Sequence, residues 1–347
     1  MMARRLTIVV LILLAAGGAG AWWERARLVT PYRGFHDQEV FVDLPAHVGV
    51  GGIAKILADA GVVPDAWTFR LAVRIGHLDR RLEAGEYRFA DPATPSDVAW
   101  RLARGDIFKR TVTFPEGLTI PEMASIFARS GLGTADEFEA AAANPAPAAA
   151  LDPDAGSLEG LLFPSTYTLP GHIGAAGTVA AMLTKFGKTF DADLRAQADA
   201  EHMSLHDVVT LASIIEKETA RPDERRLVSA VYHNRLKDGI PLQCDPTVIY
   251  ALMLDGRWTG NLHKQDLQLD SPYNTYRVKG LPPGPIAAPG RDALDAAVHP
   301  AAVSYLYFVS RNDGTHAFAS TLAEHNRNVL KWQIRYFRNL KSGNGNR

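Results

Sequence analysis

The pattern of apolar and polar residues predicts a membrane-spanning segment followed by a folded α+β protein. Residues 6–23 carry no charge, and at 1.5 Å rise per residue such a run nearly matches the roughly 30 Å hydrocarbon core of a bilayer. Arg4 and Arg5 precede the run, and Trp22 and Trp23 close it, as the positive-inside rule and interfacial aromatic anchors require. A cleaved signal peptide is the alternative, because "AGGAGA" is rich in small residues. Both interpretations place the remaining chain outside the cytoplasm.

A pattern that repeats after 70 residues follows this segment. "VDLPAHVGVGGIAKILADAGV" begins at Val42, and "VTFPEGLTIPEMASIFARSGL" begins at Val112. Each copy predicts a short strand, a turn with proline, an amphipathic helix and a glycine stop. Small modules of strand, helix, helix and strand are therefore expected. The matched positions are Pro45 with Pro115, Ile53 with Met123, Ala54 with Ala124, Ile56 with Ile126 and Gly61 with Gly131.

The remaining pattern divides the chain into further segments. An Ala- and Pro-rich stretch over residues 139–155 predicts a linker or a weakly packed excursion. Helical spacing places Met182, Phe186 and Phe190 in a core, and "SYLYFVSRNDGTHAFAS" predicts a strand, a turn and a second strand. The expected segments are a cytoplasmic stub (1–5), a transmembrane helix (6–23), a charged, irregular juxtamembrane linker (24–38), an α+β module (39–110), the second repeat with its linker (111–156), a mixed α/β domain (157–338) and a disordered tail (339–347).

Composition narrows the function by exclusion. The chain has 347 residues with a net charge of −1, which gives no basic surface for bulk binding of nucleic acid. Cys244 is the one cysteine, so neither an intramolecular disulfide nor a cysteine-built zinc site is expected. The histidines do not form H-E-x-x-H or another ligand spacing, which disfavours a metal-dependent hydrolase. We therefore expect no metal and no cofactor.

Two glutamates end the apolar helix that "SLHDVVTLASIIEKETA" predicts. On a helical wheel at about 100° per residue, Glu216 falls inside the apolar arc, whereas Lys217 falls on the polar side with Thr210 and Ser213. Glu218 lies at the edge of the arc and is expected to be easier to solvate. The apolar arc comprises Leu205, Val208, Val209, Leu211, Ala212 and Ile215.

A carboxylate on an apolar face has a structural and a functional interpretation. It costs several kcal/mol if it stays charged and unpaired, and a salt bridge or a hydrogen-bond network removes that cost. Alternatively, the wall of a cleft desolvates the acid and raises its pKa. Cleavage of a glycosidic bond needs such a protonated acid for the leaving oxygen. The pattern by itself leaves both interpretations open.

Two neighbouring segments favour a groove. The loop "DSPYNTYRVKGLPPGPIAAPG" (270–290) is dense in Tyr, Asn, Pro and Gly, and it is expected to line a rigid groove rather than to join a core. Tyr273 and Tyr276 suit stacking on sugar faces, although packing of a surface loop is the alternative. In "LQCDPTVIYAL", Asp245 has two interpretations, a helix N-cap or a second acid.

Five segments together resemble the YceG-like (MltG) family of membrane-anchored endolytic murein transglycosylases. They are "ASIIEKETA", "DPTVIYAL", "YNTYRVKGLPPGPIAAPG", "AAVHPA" and "YLYFV…HAFASTLAEHN", and they occur in family order. The resemblance implies a small LysM-like module near the membrane and a catalytic domain with a glycan-binding groove. It places the catalytic carboxyl at Glu216. Cys244 stands where the family pattern has threonine, a departure that is not expected to affect the chemistry.

The resemblance implies cleavage of the β-1,4 bond between N-acetylmuramic acid and N-acetylglucosamine, with closure of a 1,6-anhydro ring. Expected partners are peptidoglycan glycan strands, the inner membrane and peptidoglycan synthases, with the catalytic domain in the periplasm. A noncatalytic glycan-binding protein and a hydrolytic muramidase are the alternatives, and Asp245, Asp270 or Glu159 would supply the muramidase's second acid. Substrate contacts are predicted at Gln243, Thr247, Tyr273, Asn274, Tyr276 and Glu159.

Overall fold

The structure, a computed structural model, describes residues 17–18, 20, 22–23, 25–336 and 338. The predicted stub (1–5), the tail (339–347) and most of the predicted transmembrane segment (6–23) lie outside these residues. Within the described part of the chain, no helix is long and apolar enough to cross a bilayer. The chain divides into two compact units. One comprises residues up to Thr111 with Thr168–Ile173, and the other comprises Val112–Tyr167 with the residues from Gly174 onward.

The first unit is built on the first copy of the repeat. Strands β1 and β2 pair antiparallel, with Val42 opposite Tyr87, and the inward side chains of this ladder join those of three helices in one core. The predicted order of strand, helix, helix and strand is confirmed for this copy. The elements are β1 (Val40–Leu44), α2 (Val50–Asp59), α3 (Ala66–Ile75), β2 (Gly85–Phe89) and α4 (Pro95–Ala103), preceded by α1, whose last described residues are 25–29.

The start of the segment predicted as an irregular linker is instead helical and docked. Residues 25–29 belong to α1, and Leu28 is 7% exposed within the core of the first unit. Arg27 forms an ion pair with Asp65, the residue that caps α3 by accepting the Thr68 N–H at 2.8 Å. Leu28 escaped prediction because Leu28 and Val29 form too short an apolar run beside charged residues to give a periodic signal.

The second copy of the repeat has the same element order. Ala54 and Ala124 are both fully buried, and Gly61 and Gly131 end their helices with φ of +70° and +73°, a conformation that glycine adopts without strain. The elements are β3 (Lys109–Phe114), α5 (Ile120–Arg129), α6 (Ala135–Ala143) and β4 (Ser165–Pro170), with β3 paired to β4. A LysM-like identity of the modules stays a prediction.

The Ala- and Pro-rich segment packs better than its composition suggested. Ala142 and Ala148 are fully buried, and the Leu158 N–H donates to the Ala142 carbonyl at 2.9 Å. Small side chains allow this close approach, which composition alone does not reveal.

The remainder of the second unit is mainly helical, so the chain has the mixed α+β fold that was expected. Met182, Phe186 and Phe190 are at most 2% exposed, which confirms their place in a core. The predicted hairpin is also present, with Asn312 at φ +65° in its turn. The elements are α7 (Gly174–Thr189), α8 (Ala192–Ala200), α9 (Leu205–Glu218), α10 (Pro222–Lys237), α11 (Asp245–Leu254), α12 (Arg291–Val298), β5 (Tyr307–Ser310), β6 (His316–Ala319) and α13 (Leu322–Val329), which continues as a π-helical turn (Leu330–Arg335).

Candidate active site

Helix α9 runs through the interior of the second unit and ends at the two glutamates. Ser204 caps its start by accepting the Asp207 N–H at 3.1 Å. Of the predicted polar side, Lys217 is exposed as expected, but Thr210 and Ser213 are fully buried. The helical wheel did not predict the burial of Thr210 and Ser213, because periodicity shows which residues share a face but not which elements pack against that face.

One of those covering elements is the end of the long proline-rich loop. We call residues 284–290 the strap; all seven are buried. The Ile286 N–H donates to Ser213 Oγ at 3.0 Å, and the Gly290 N–H donates to Glu216 Oε2 at 3.1 Å. The expectation that this loop stays out of the core is therefore wrong for its second half, because buried side-chain oxygens of α9 satisfy its backbone.

Glu216 lies under the strap with its side chain 8% exposed. Besides the Gly290 N–H, the Nη2 atom of Arg225 lies 3.7 Å from Oε1. A second carboxylate approaches the same place: a Cβ added at Gly290 would lie 2.0 Å from Oε1 of Glu116. Glycine at position 290 thus makes room for Glu116, and Glu216 sits between one guanidinium and a second acid.

The balance of these neighbours raises the pKa of the Glu216 carboxyl. Burial is the largest cause, and the charges of Glu116 and Asp292 act in the same direction, whereas the Gly290 N–H and Arg225 oppose it. A raised pKa increases the protonated fraction near neutral pH. Glu216 therefore shows features of both interpretations made from the sequence: it lies in an ion pair with Arg225, and burial raises its pKa.

Glu218 has a different environment. Its Oε1 accepts hydrogen bonds from the Tyr232 hydroxyl at 2.9 Å and the Cys244 thiol at 3.1 Å, and both donors are 1% exposed. Burial raises the pKa of the Glu218 carboxyl, and the charge of nearby Asp245 adds to this. Burial also raises the pKa of Tyr232 and Cys244, so both keep their protons and remain donors at neutral pH.

This geometry corrects two expectations. Glu218 was expected to be the more easily solvated acid, yet it is partly buried like Glu216, and donors from α10 and the residue before α11 hold its carboxyl. Cys244 was expected to be immaterial, yet its thiol contacts that carboxyl. Both errors arise because the contacts come from residues 14 and 26 positions along the chain, which a single helix pattern does not show.

Three predicted binding residues lie in the segments next to Glu218. Gln243 is exposed and has a φ of +51°. Tyr276 is half-buried and donates its hydroxyl to Asp245 Oδ1 at 2.6 Å. Thr247 is fully buried and bonds to the Cys244 carbonyl at 2.7 Å. Gln243 and Tyr276 are thus available to a ligand, whereas Thr247 is not.

Asn274 is also fully buried. Its side-chain amide donates to the carbonyls of Leu267 and Leu269 at 3.1 and 2.7 Å, and its oxygen accepts the Tyr276 N–H at 3.1 Å. The predicted roles of Thr247 and Asn274 as direct sugar contacts are therefore corrected to shaping the loop. Asp245 is the first residue of α11, and the N-cap is Cys244, so the N-cap interpretation of Asp245 is also wrong.

Glu159 and Tyr273, the remaining predicted substrate contacts, lie in a separate cluster. Glu159 Oε2 accepts the Ile120 N–H at 3.2 Å and the Tyr250 hydroxyl at 3.3 Å, and burial raises the pKa of Glu159 to about 7. The rings of Tyr250 and Tyr273 lie 5.1 Å apart. Glu159, Tyr250 and Tyr273 line a cavity of about 330 Å³ together with His206. The His206 Nδ1 atom lies 2.8 Å from Asp152 Oδ2. The structure therefore divides the predicted set between two places.

Three residues that contact the two glutamates were not predicted from the sequence, namely Tyr232, Arg225 and Gly290. Glu116, whose charge acts on Glu216, was not predicted either. The repeat held a signal for Glu116, because the first copy has Ala46 at the equivalent position. A carboxylate that appears in one copy only points to a local role. Among the residues that the structure describes, no group of three or more His, Cys, Asp or Glu side chains is arranged to hold a metal ion.

The site thus has a recognisable class: a mixed α+β protein with two sheltered carboxyl groups at the end of a buried helix. The model of the YceG-like family matches residues 42–331, and the chain belongs to this family, which confirms the resemblance seen in the sequence. Two similar proteins are each called endolytic murein transglycosylase. The one from Bacillus subtilis (strain 168) is 38% identical over 175 residues, which is 50% of this chain and 48% of the relative.

The second, from Streptococcus pneumoniae serotype 2 (strain D39), is 28% identical over 324 residues, which is 84% of this chain and 58% of the relative. The chain thus spans about half the length of the curated relatives it matches. A crystal structure of a yceG-like protein from Listeria monocytogenes is also similar, with a TM-score of 0.57 and 30% identity. The match covers 84% of this chain and 98% of the Listeria protein.

Proposed function

We propose that this protein is a membrane-anchored endolytic lytic transglycosylase. It cleaves the β-1,4 bond between N-acetylmuramic acid and N-acetylglucosamine within nascent glycan strands and leaves 1,6-anhydro ends. Membership of the family and the printed names of the relatives support the reaction class. The observation that carries the proposal is a pair of carboxyl groups, at positions 216 and 218, whose pKa burial raises.

The sequence pattern selected Glu216 as the acid, and it remains a candidate, but the geometry favours Glu218. A general acid must hold its proton at working pH. Glu216 faces the Arg225 guanidinium, which favours the charged form. Within the part of the chain that the structure describes, the hydrogen-bond donors to the Glu218 carboxyl are Tyr232 and Cys244, and both are neutral. The charge of exposed Asp245 raises the pKa of Glu218 further, and that of His316, which opposes it, has a smaller effect. Glu116 and Asp292 raise the pKa of Glu216 in the same way, so the contrast between the two acids is the ion pair with Arg225.

One carboxyl is sufficient for both halves of the reaction. It gives its proton to the leaving O4 of N-acetylglucosamine as the bond from muramyl C1 to O4 breaks. The muramyl O6 then bonds to C1, and its proton returns to the carboxylate. The intramolecular hydroxyl takes the place of the second carboxylate or water of ordinary glycosidases and benefits from high effective concentration. Proton transfer of this kind needs no metal or cofactor.

The test compares Glu216→Gln with Glu218→Gln, because glutamine keeps the shape but cannot donate the carboxyl proton. We expect Glu218→Gln to abolish release of anhydro products from purified glycan strands, as measured by mass spectrometry, while binding to the strands survives. Glu216→Gln should retain activity. The reverse result would assign the role to Glu216, and full activity of both variants would reject a proton-shuttle role for either. A wild-type protein that binds strands but releases nothing would be a noncatalytic binder.

Hydrolysis is the second candidate, and exposed Asp245 is the observation that favours it. A carboxylate near the acid is the arrangement that hydrolytic glycosidases use. In that case the products would carry reducing ends rather than anhydro ends, and Asp245→Asn would abolish them. Exclusively anhydro ends, unaffected by Asp245→Asn, would remove this candidate.

The anchor at residues 6–23 supports action on nascent strands, because it would hold the site near the synthases that extrude glycan. We place the catalytic domain in the periplasm at the inner membrane. Deleting residues 1–23 should preserve cleavage in solution and abolish control of strand length in cells. Unchanged strand lengths with the truncated protein would contradict a role for the anchor.

A further inference from the structure

Three exposed tryptophans lie within five residues in sequence of the Arg27–Asp65 ion pair that joins α1 to the first unit. Trp22 and Trp23 are 72% and 54% exposed, and Trp67 in α3 is 59% exposed. Large apolar side chains at such exposure are uncommon on a surface that faces only water, and a group of them marks an interaction site. Tryptophan in particular prefers the interface between a membrane and water.

The contacts of Arg27 in α1 link Trp23 to the start of α3, the helix that carries Trp67. The guanidinium of Arg27 lies 4.7 Å from the centre of the Trp23 ring and also pairs with Asp65, two residues before Trp67. Helical side chains lean toward the N-terminus of their helix, so the Trp67 ring leans toward that ion pair. Ser96 at the start of α4 donates to the Leu28 carbonyl at 3.2 Å, which ties a second helix start to α1.

We propose that this end of the unit, which we call the tryptophan end (Trp22, Trp23 and Trp67), lies in the interfacial layer of the membrane beside the anchor. The partner of this surface is lipid, because the uncharged run of residues 6–23 ends with Trp22 and Trp23, which belong to the tryptophan end. Exposed Arg25 and Arg70 add attraction for anionic headgroups. The inference rests on the anchor of the proposed function and adds that the first unit is docked, not merely tethered.

Helix α3 offers a matched pair of positions to test this. Trp67 and Ile75 are 59% and 60% exposed and lie eight residues apart in one helix, so about 12 Å separates them along its axis. Only Trp67 is at the tryptophan end. Since both side chains are exposed, replacing either leaves the core intact.

The experiment uses full-length protein reconstituted in vesicles of equal parts phosphatidylethanolamine and phosphatidylglycerol. Trp67→Cys and Ile75→Cys are each labelled with an environment-sensitive fluorophore, and buried Cys244 provides the background in unsubstituted protein. We expect a blue-shifted emission that lipid-borne nitroxides quench for the label at position 67, and water-like, unquenched emission for the label at position 75.

The outcomes separate the two proposals. Water-like emission at both positions in vesicle-bound protein would overturn the docked orientation and leave the anchor intact. Equal quenching at both would also overturn it, because the helix would then lie flat in the interface. Protein that does not associate with vesicles at all would overturn the anchor and the docking together.

Discussion

Removing the Tyr232 hydroxyl gives the sharpest test of the environment of Glu218. In Tyr232→Phe, Oε1 of Glu218 loses the donor at 2.9 Å and keeps the Cys244 thiol at 3.1 Å. The Tyr232 hydrogen bond favours the charged carboxylate and so lowers its pKa, against the larger effect of burial. Without it, the pKa of Glu218 rises further.

The magnitude follows from hydrogen-bond energetics. A hydrogen bond to a charged group contributes about 1.5–3 kcal/mol, against about 1 kcal/mol for a neutral pair. The difference of roughly 1 kcal/mol corresponds to a rise of about 0.5 to 1 in pKa, since 1.36 kcal/mol equals one pKa unit. The general acid acts in its protonated form, so activity falls as pH rises through this pKa. In the variant, that fall should move to higher pH by the same amount.

The assay is the pH profile of kcat/KM for release of anhydro products. Tyr167→Phe is the matched control, because the buried Tyr167 hydroxyl donates to the Phe163 carbonyl at 2.6 Å and does not contact Glu218. Both variants should lose similar stability, about 1 kcal/mol, but only Tyr232→Phe should move the profile. A folded Tyr232→Phe protein with the wild-type profile would refute the assignment of Glu218 as the acid.

Three further predictions concern the same unit. Burial holds the pKa of Glu159 near 7 in the folded protein against 4.5 ordinarily, so wild-type stability should fall by up to about 3 kcal/mol as pH rises from 4.5 to 7; Glu159→Gln should abolish this dependence in thermal unfolding. Cys244→Thr supplies a stronger donor to Glu218, so the alkaline limb of the activity profile should move to lower pH, opposite to the tyrosine variant. Gly290→Ala places a methyl group in the space of a neighbouring carboxylate and should lower stability by about 1–3 kcal/mol, whereas Gly156→Ala, with nothing within 4 Å, should not.

Local pattern determined the repeated modules. Alternation and helical spacing place Ala54 and Ala124 at equivalent positions, and both are fully buried. The glycine stops at 61 and 131 have matching left-handed conformations. These features were predictable because they depend on a few consecutive residues, for which backbone sterics and burial of one face set the outcome.

The site depended on contacts between distant segments. The sequence alone identified the family, the buried helix and its two terminal acids. Only the tertiary structure decided that the strap and Arg225 surround Glu216, that Tyr232 and Cys244 hold Glu218, and that Asn274 faces inward. The physical reason is that a carboxyl's pKa and reach depend on what packs against it, and helical periodicity fixes direction but not neighbours.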